Sequence, residues 1–199
     1  MRVACFGGAK IKSNDPIYQA MIQVGRLLAQ KGIEIVNGGH GGIMEAVLKG
    51  AQEFDPESKR IGVPLMFFKP NRFVNCIWRH GQSTSLLHFN NVETPIQCLF
   101  FRLAALMSAD AFVIAAKGGI GTLLELVALI ELNTKIWGKE WFKKSYPRKK
   151  IAILVPESVG SWERDILNVF HKHKLLIPEA RELIKIARTP EEAVEWVLG

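Results

Sequence analysis

Short apolar runs alternate along this chain with longer stretches of helical period, and glycine, proline or asparagine separates one from the next. Strands are predicted at residues 2–6, 33–36, 60–63, 83–89, 111–116, 151–155 and 183–187. Helices are predicted at residues 17–31, 43–53, 94–108, 121–133, 161–173 and 190–198. Strands that alternate with helices in this way are typical of a parallel sheet covered on both faces. The predicted fold class is therefore α/β, with a Rossmann-like, doubly wound and mainly parallel sheet.

Signals at the ends of these elements agree with the alternation. Asp15 is a predicted N-cap with Pro16 at the first helical position, and Gly32 is predicted to end that helix. The segment 65–80 has no clean period and is predicted to be a long loop. A chain of 199 residues can bury one well-formed core. We therefore expect a single Rossmann-like nucleotide-binding domain over residues 1–199.

Composition disfavours several other classes of protein. The three cysteines, Cys5, Cys76 and Cys98, are scattered and form no Cys-x-x-Cys pair, which argues against a zinc site or disulfide framework and fits a reducing compartment. No apolar segment is long and uncharged enough to span a bilayer, and the N-terminus does not resemble a signal peptide. We expect a cytoplasmic protein with no membrane partner and no metal. The net charge of +7 fits an anionic small molecule, nucleic acid or solubility alone.

Two glycine-rich turns follow predicted strands, where ligands bind in parallel α/β sheets. The first glycine turn is Asn-Gly-Gly-His-Gly-Gly at residues 37–42, and the second glycine turn is Lys-Gly-Gly-Ile-Gly-Thr at residues 117–122. Such a turn lets a ligand approach the backbone, and the helix that follows presents free N–H groups to a phosphate. The alternative is a tight structural turn, and His40 is interpreted as an ordinary polar residue. The predicted phosphate-binding residues are Gly38, Gly39, Lys117, Gly118, Gly119, Gly121 and Thr122.

Glu125 and Arg102 are the candidate catalytic residues. Glu125 follows Thr122 by three residues, so its carboxylate could orient a water or stabilise positive charge on a sugar ring. The alternative is a glutamate that matches the helix dipole or forms a capping box with Thr122. Arg102 lies in an otherwise apolar predicted helix and must find a partner or reach solvent. A substrate phosphate, Glu125 or an exposed helix face would each serve, and spacing alone leaves these alternatives open.

These motifs together resemble the LONELY GUY (LOG) family, which has also carried the name "possible lysine decarboxylase". The segment 117–125, Lys-Gly-Gly-Ile-Gly-Thr-Leu-Leu-Glu, resembles the family signature Pro-Gly-Gly-x-Gly-Thr-x-x-Glu. Arg102 lies at the family's distance before Glu125. The opening Phe-Gly-Gly-Ala at residues 6–9 and the first glycine turn are similar to two further family motifs.

The resemblance implies a Rossmann-like fold, a homodimer, and cleavage of nucleoside 5′-monophosphates to free base and ribose 5-phosphate. Arg102 would orient the substrate, Glu125 would assist the attack of water, and the second glycine turn would hold the 5′-phosphate. No cofactor is implied. Lysine decarboxylation is not expected, because no lysine in the sequence can be recognised as one that binds pyridoxal phosphate.

The chain departs from the LOG pattern at three places, one of which is that Arg102 lies one residue closer to Asp110. Lys117 replaces the signature proline, and the first glycine turn is one residue shorter. That turn resembles a related branch that includes nucleotide-binding members and a molybdenum-cofactor carrier. The second hypothesis is therefore a non-catalytic carrier of a nucleotide or a molybdopterin-type cofactor.

Two stretches, residues 67–80 and 135–150, mix aromatic with basic side chains. This composition suits contact with nucleic acid, through stacking on bases and pairing with phosphates. A lid or dimer-contact loop with a solvated basic rim is the favoured interpretation. Nucleic acid is kept as the less favoured partner.

Overall fold

A computed structural model describes residues 1–65, 68–78, 95–139, 146–157 and 163–199 of the chain. The strands are β1 (Arg2–Phe6), β2 (Glu34–Asn37), β3 (Arg60–Gly62), β4 (Cys76–Ile77), β5 (Ala111–Ala115), β6 (Ile151–Leu154) and β7 (Ile184–Ala187). The helices are α1 (Pro16–Gln30), α2 (Ile43–Phe54), α3 (Pro95–Met107), α4 (Ile120–Glu131), α5 (Glu163–Lys172), α6 (Pro178–Arg181) and α7 (Pro190–Leu198). A π-helical turn, Leu132–Ile136, extends α4.

The seven described strands form one sheet in the order β4-β3-β2-β1-β5-β6-β7, and every pairing is parallel. The chain therefore winds outward from β1 in one direction and from β5 in the other. The strand order reverses between β1 and β5, and in doubly wound sheets ligands bind at the carboxyl ends of the strands beside this reversal. The predicted α/β, Rossmann-like and doubly wound fold class is confirmed.

Alternation along the strands builds two separate cores, one on each face of the sheet. Val3 and Cys5 of β1 pack with buried residues of α1, α2 and α7. Ala4 and Phe6 of the same strand pack with buried residues of α3 and α4 on the other face. Both faces are covered because successive side chains of a strand point in opposite directions.

The predicted elements differ from the observed ones mainly in detail. Asp15 caps α1 as predicted, since its Oδ1 accepts from the Ile17 N–H at 3.1 Å. The segment 65–80 is not only a loop, because its residues 76–77 form β4 beside β3. The short helix α6 was not predicted. The predicted strand at 83–89 lies outside the described residues.

Two expectations about the class of protein bear on the described residues. None of the helices found there is long and apolar enough to cross a membrane. All three cysteines are free thiols, and Cys5 is fully buried in the core.

Candidate functional site

A cavity of about 810 Å³ lies at the carboxyl ends of β1 and β5, where the strand order reverses. The turn after β1, the second glycine turn and the start of α4 form adjoining parts of its wall. α3 closes a third side. Much of the described lining is apolar, with Ile11, Met44, Leu65, Phe68, Leu99, Leu103, Ile120 and Leu124. The polar side chains are few and come from Lys10, His40, Arg102, Lys117, Thr122 and Glu125.

The second glycine turn leaves the N-terminus of α4 uncovered. Gly119 is the N-cap of α4, and no side chain caps this end of the helix. Gly119 and Gly121 are exposed, and a Cβ at either residue would meet no atom within 4 Å. The first N–H groups of a helix have no partner within the helix and carry the positive end of its dipole. This wall of the cavity can therefore accept an anion.

Thr122 is buried beneath this turn rather than exposed at its rim. A Cβ at Gly118 would lie 2.3 Å from the Thr122 Oγ1, so glycine is required at 118 for the hydroxyl to lie where it does. Thr122 is the third residue of α4 and lines the cavity. Its hydroxyl is therefore placed to donate to the same anion as the backbone N–H groups.

Lys117 links the second glycine turn to the turn after β1, which lies directly beside it. Its Nζ donates to the carboxylate of Asp15, the residue that caps α1. This hydrogen bond is the main reason that the pKa of Asp15 lies below its usual range. The Lys117 carbonyl also accepts from the Gly8 N–H at 3.0 Å. The ammonium of Lys117 therefore already has a carboxylate partner.

Glu125 is a buried carboxylate on the cavity wall, in the second turn of α4. The residue is 8% exposed, and its Oε1 lies 3.9 Å from the Arg102 Nη2. Burial raises the pKa of Glu125 to about 7, and the positive charge of Arg102 opposes that rise. The capping-box alternative is wrong, because Gly119 and not Thr122 is the N-cap. A carboxyl group that titrates near neutral pH in a cavity is a candidate acid or base.

Arg102 faces inward from α3. Its side chain is only 14% exposed, and it forms an ion pair with Glu125. Burial lowers the pKa of Arg102, although an arginine stays charged in proteins. Its Nε is buried without a hydrogen-bond partner within the described part of the chain. A buried donor in this state is costly unless a ligand or water accepts from it.

The first glycine turn is filled by the protein itself. The buried Asn37 donates from Nδ2 to the Met44 carbonyl at 3.0 Å and accepts from the Gly39 N–H at 2.8 Å. At the start of α2, the Ile43 N–H donates to the Gly8 carbonyl at 3.1 Å. The N-terminus of α2 is thus partly occupied by a backbone carbonyl, in contrast to that of α4.

Gly38 and Gly39 lie behind the cavity wall. Of the first glycine turn, the described lining includes His40 but neither of these two glycines. Gly38 lies directly against the Arg102 guanidinium, which a Cβ at this position would approach to 2.0 Å from Nη2. Gly39 has a φ of +71° and packs near Gly62, and its carbonyl accepts from the Asn71 N–H at 2.7 Å. The predicted site residues that line one cavity are therefore Arg102, Lys117, Gly118, Gly119, Gly121, Thr122 and Glu125. Gly38 and Gly39 are absent from this lining, although Gly38 contacts Arg102 from behind it.

His40 and Lys10 line the cavity, although sequence reasoning did not select them. His40 is half-buried, and its ring meets the Phe68 ring edge-on with 4.9 Å between centroids. Burial and the nearby Arg102 lower the pKa of His40, which favours the neutral imidazole at pH 7. A histidine inside a glycine turn at a strand end was the available signal. Lys10 gave no signal beyond its place after the Gly-Gly pair.

Some of the aromatic and basic side chains in the described parts of the two stretches pack into the protein, whereas others, such as Phe68 and Lys135, are exposed. Phe73 is buried in the core, and Trp137 is 4% exposed and stacks on Phe112 at 6.2 Å between ring centroids. Lys149 donates to the carbonyls of Met107 and Ala109, at 3.0 and 2.7 Å. These rings and this cation have partners inside the fold. Residues 67, 79–80 and 140–145 of the two stretches lie outside the described residues.

Comparisons with known proteins find similar sequences and similar folds. The family model of the SLOG cluster4 family matches residues 1–63, which include the turn after β1 and the first glycine turn. A probable cytokinin riboside 5′-monophosphate phosphoribohydrolase, LOGL6 of Oryza sativa subsp. japonica, is 24% identical over 98% of this chain and 69% of its own length.

Solved structures resemble the chain over nearly its whole length. The X-ray structure of TM1055 has a TM-score of 0.65 at 23% identity, with 98% of this chain and 96% of that chain covered. The molybdenum cofactor carrier protein of Chlamydomonas reinhardtii has a TM-score of 0.58 at 16% identity, with 99% and 97% covered. At these identities the two structures establish a shared fold.

Proposed function

We propose that this chain, which resembles LOG-type Rossmann proteins in sequence and fold, is a nucleoside 5′-monophosphate phosphoribohydrolase. The observation that carries the proposal is the buried pair of Glu125 and Arg102, 3.9 Å apart, on the wall of a cavity that also receives the open N-terminus of α4. An anion site beside a carboxylate that titrates near neutral pH suits cleavage of a phosphorylated sugar.

The phosphate binds at the second glycine turn in this proposal. The backbone around Gly119 and Gly121 is uncovered, and the Thr122 hydroxyl lies just beneath it. Gly118 gives that hydroxyl its room. Lys117 adds a cation at the rim, where the phosphate competes with Asp15 for its ammonium.

Glu125 acts on the sugar, one helical turn further along α4. Hydrolysis breaks the C1′–N bond, bonds a water oxygen to C1′, and leaves the proton lost by water on the departing base. The transition state resembles an oxocarbenium ion, which an adjacent carboxylate stabilises. An ionised Glu125 can also take the proton from the attacking water. Arg102, 3.9 Å from this carboxylate, favours its ionised form and orients the substrate.

A carrier without turnover is the second candidate function. Lys117 is held by Asp15 at the position of the signature proline, and the cavity is large and mostly apolar. Its fold is also that of a molybdenum cofactor carrier protein. Such a carrier would use the α4 N-terminus for a phosphate group of a nucleotide or molybdopterin-type cofactor and leave Glu125 without a chemical task.

We further propose that the chain works as a homodimer. Ile120, Leu124 and Val127 follow one another on a single exposed face of α4, and Ile120 is 84% exposed. Ile96 and Phe100 of α3 are exposed as well. Exposed apolar residues clustered on two helices are typical of an interface between protein chains. Sedimentation at several protein concentrations tests this assembly.

We also propose a domain organisation and a cellular compartment for this protein. The seven described strands share one sheet, so we propose one domain over residues 1–199. The three cysteines are free, which suits a reducing compartment, and we propose the cytoplasm.

A panel of nucleoside 5′-monophosphates, the matching nucleosides and a molybdopterin-type ligand tests the two functions. Each ligand is scored for thermal stabilisation of the protein and for release of free base. Release of base from a monophosphate but not from its nucleoside supports the hydrolase, and we expect Glu125→Gln to lower kcat at least about 100-fold. Glu131→Gln, on an exposed residue of the same helix, serves as the matched control. Stabilisation without base release favours the carrier, and no stabilisation by any ligand contradicts both.

A further inference from the structure

Gly38 and Arg102 come from distant parts of the chain and meet at the back of the cavity. A Cβ built on Gly38 would lie 2.0 Å from the Arg102 Nη2 and 3.0 Å from its Cζ. The Met44 Sδ would lie 2.9 Å from the same Cβ. The end of the guanidinium therefore occupies the space that a side chain at residue 38 would fill.

Little else in the described structure fixes the guanidinium. The distance of 3.9 Å from Nη2 to the Glu125 Oε1 is too long for a hydrogen bond. The Nε is buried and has no hydrogen-bond partner among the described residues. The position of this cation is thus set mainly by packing, and the bare backbone of Gly38 is part of that packing.

We infer that Gly38 is a positioning residue, which holds the Arg102 guanidinium beside Glu125 by leaving its own side-chain space empty. The role in catalysis rests on the proposed hydrolase function, whereas the packing role does not. The first glycine turn then contributes to the site by positioning the Arg102 guanidinium, and not by binding phosphate.

The substitution Gly38→Ala isolates this role, because it strains the backbone little. Gly38 is not among the glycines with positive φ, so its backbone conformation is open to alanine. Both atoms that the new methyl group meets first belong to the ends of flexible side chains. We therefore expect Arg102 to swing away from Glu125 while the fold is kept.

Gly41 supplies a matched control in the same turn. A Cβ there would lie 3.4 Å from the Ala9 carbonyl oxygen and 3.7 Å from the Glu45 Oε2, which are ordinary contacts. Gly41 also lacks a positive φ. Gly41→Ala is thus the same chemical change a few residues away, without the contact to Arg102.

The ionisation of Glu125 reports the position of Arg102, with or without turnover. Arg102 lies on α3, His40 on the first glycine turn, and Lys10 and Lys117 on the turns after β1 and β5; these are the described titratable groups that share the cavity with Glu125. Of these, Arg102 is the charge that holds the pKa of Glu125 down. Moving it away should raise that pKa, which NMR titration of the side-chain carboxyl carbon measures in the intact protein.

The experiment compares wild type, Gly38→Ala, Gly41→Ala, Arg102→Ala and the double variant of Gly38 and Arg102. We expect Gly38→Ala to raise the pKa of Glu125 as Arg102→Ala does and to lower kcat/KM at least about tenfold, chiefly through kcat. Gly41→Ala should match wild type in both measurements. The double variant should equal Arg102→Ala, because a residue that acts through Arg102 has no effect in its absence.

Two outcomes overturn the inference: an unchanged Glu125 pKa in Gly38→Ala, or a further shift when Gly38→Ala is added to Arg102→Ala. If Gly38→Ala alone does not fold, the double variant decides. A double variant no less stable than Arg102→Ala supports the contact, and one that is less stable contradicts it. If wild type releases no base from any nucleotide, the proposed function fails, while the pKa and stability comparisons still test Gly38.

Discussion

The two glycine turns have nearly the same composition and opposite roles in the structure. Each follows a strand at the same edge of the sheet and leads into a helix. In the first, the N–H of Ile43 at the start of α2 meets the Gly8 carbonyl, and Gly38 lies against Arg102. In the second, Gly119 and Gly121 face open space at the start of α4. Glycine therefore marks a close approach at Gly38 and Gly42 of the first turn and an uncovered backbone at Gly119 and Gly121 of the second.

This difference teaches that glycine density alone does not identify a phosphate site. A glycine can be required because another part of the protein occupies the space, or because a ligand does. What separates the two cases is the identity of the neighbouring atoms. In the first turn these atoms are a carbonyl, a guanidinium and packed side chains, whereas the second turn borders the cavity.

Among the variants of the two turns, the largest loss of stability is expected from adding a side chain at Gly42 of the first turn. This residue has a φ of +63°, and a Cβ would lie 2.2 Å from the Gly8 carbonyl oxygen. Because both the conformation and the contact involve backbone, Gly42→Ala should lower the free energy of unfolding by about 3 kcal/mol or more. Urea unfolding measures the loss, with Gly41→Ala as the control. A loss below about 1 kcal/mol would show that the first turn is not tightly packed.

The second prediction concerns the stability cost of ionising Glu125 next to the second turn. Its pKa is raised from 4.5 to about 7, so the contribution of this group to stability is full below about pH 4.5 and is lost as the pH rises through 7. Glu125→Gln cannot ionise and should avoid this loss, which is at most about 3 kcal/mol. The stability of Glu125→Gln relative to wild type should therefore increase between pH 4.5 and pH 8. A difference that is constant over this range would mean that Glu125 has an ordinary pKa.

Parts of this picture could be predicted from the sequence because they depend on local chemistry. The Asp15 cap and the alternation of strands and helices are set by neighbours within a few turns of chain. Arg102 and Glu125, on different helices, were selected together by the resemblance to the LOG pattern. The start of α4 was placed one residue late, and the choice between a capping and a catalytic Glu125 stayed open. Gly119 rather than Thr122 is the N-cap, and only the fold decides this.

Other parts depend on contacts between residues far apart in the sequence. Gly38 was predicted to bind phosphate, but its nearest contact is an arginine 64 positions away on α3. His40 and Lys10 reach the cavity only because the turns after β1 and β2 meet there. No periodicity or motif in the sequence predicts such tertiary contacts, because they follow from how the sheet and helices pack.

A third prediction tests the ion pair that ties the second turn to α1. Lys117→Ala removes the partner of Asp15, but the lysine side chain is 43% exposed, so solvent and salt screen the pair. The loss of stability at pH 7 should be below about 1 kcal/mol. The pKa of Asp15 is lowered in the folded protein, so its contribution is present above pH 3.8 and disappears as the pH falls further. The variant and wild type should therefore converge in acid, whereas an equal difference at all pH values would contradict the pair.

The smallest expected change in stability comes from adding a side chain at Gly121 of the second turn. This change should be a gain, whereas Gly42→Ala in the first turn should cause a loss. Gly121 lies in the first turn of α4 without a positive φ, and a Cβ there meets no atom within 4 Å. Gly121→Ala should raise the free energy of unfolding by about 0.5 kcal/mol, because alanine loses less backbone entropy on folding. The same methyl group stands over the N–H groups proposed to hold phosphate, so the affinity for a nucleoside monophosphate should fall about tenfold and that for the nucleoside should not change. Urea unfolding and ligand binding, measured on one preparation, give the signs of the change in stability and of the change in affinity. A Gly121→Ala variant that gains stability and keeps its affinity would place the phosphate elsewhere in the cavity, and one that loses stability would show that the second turn is packed like the first.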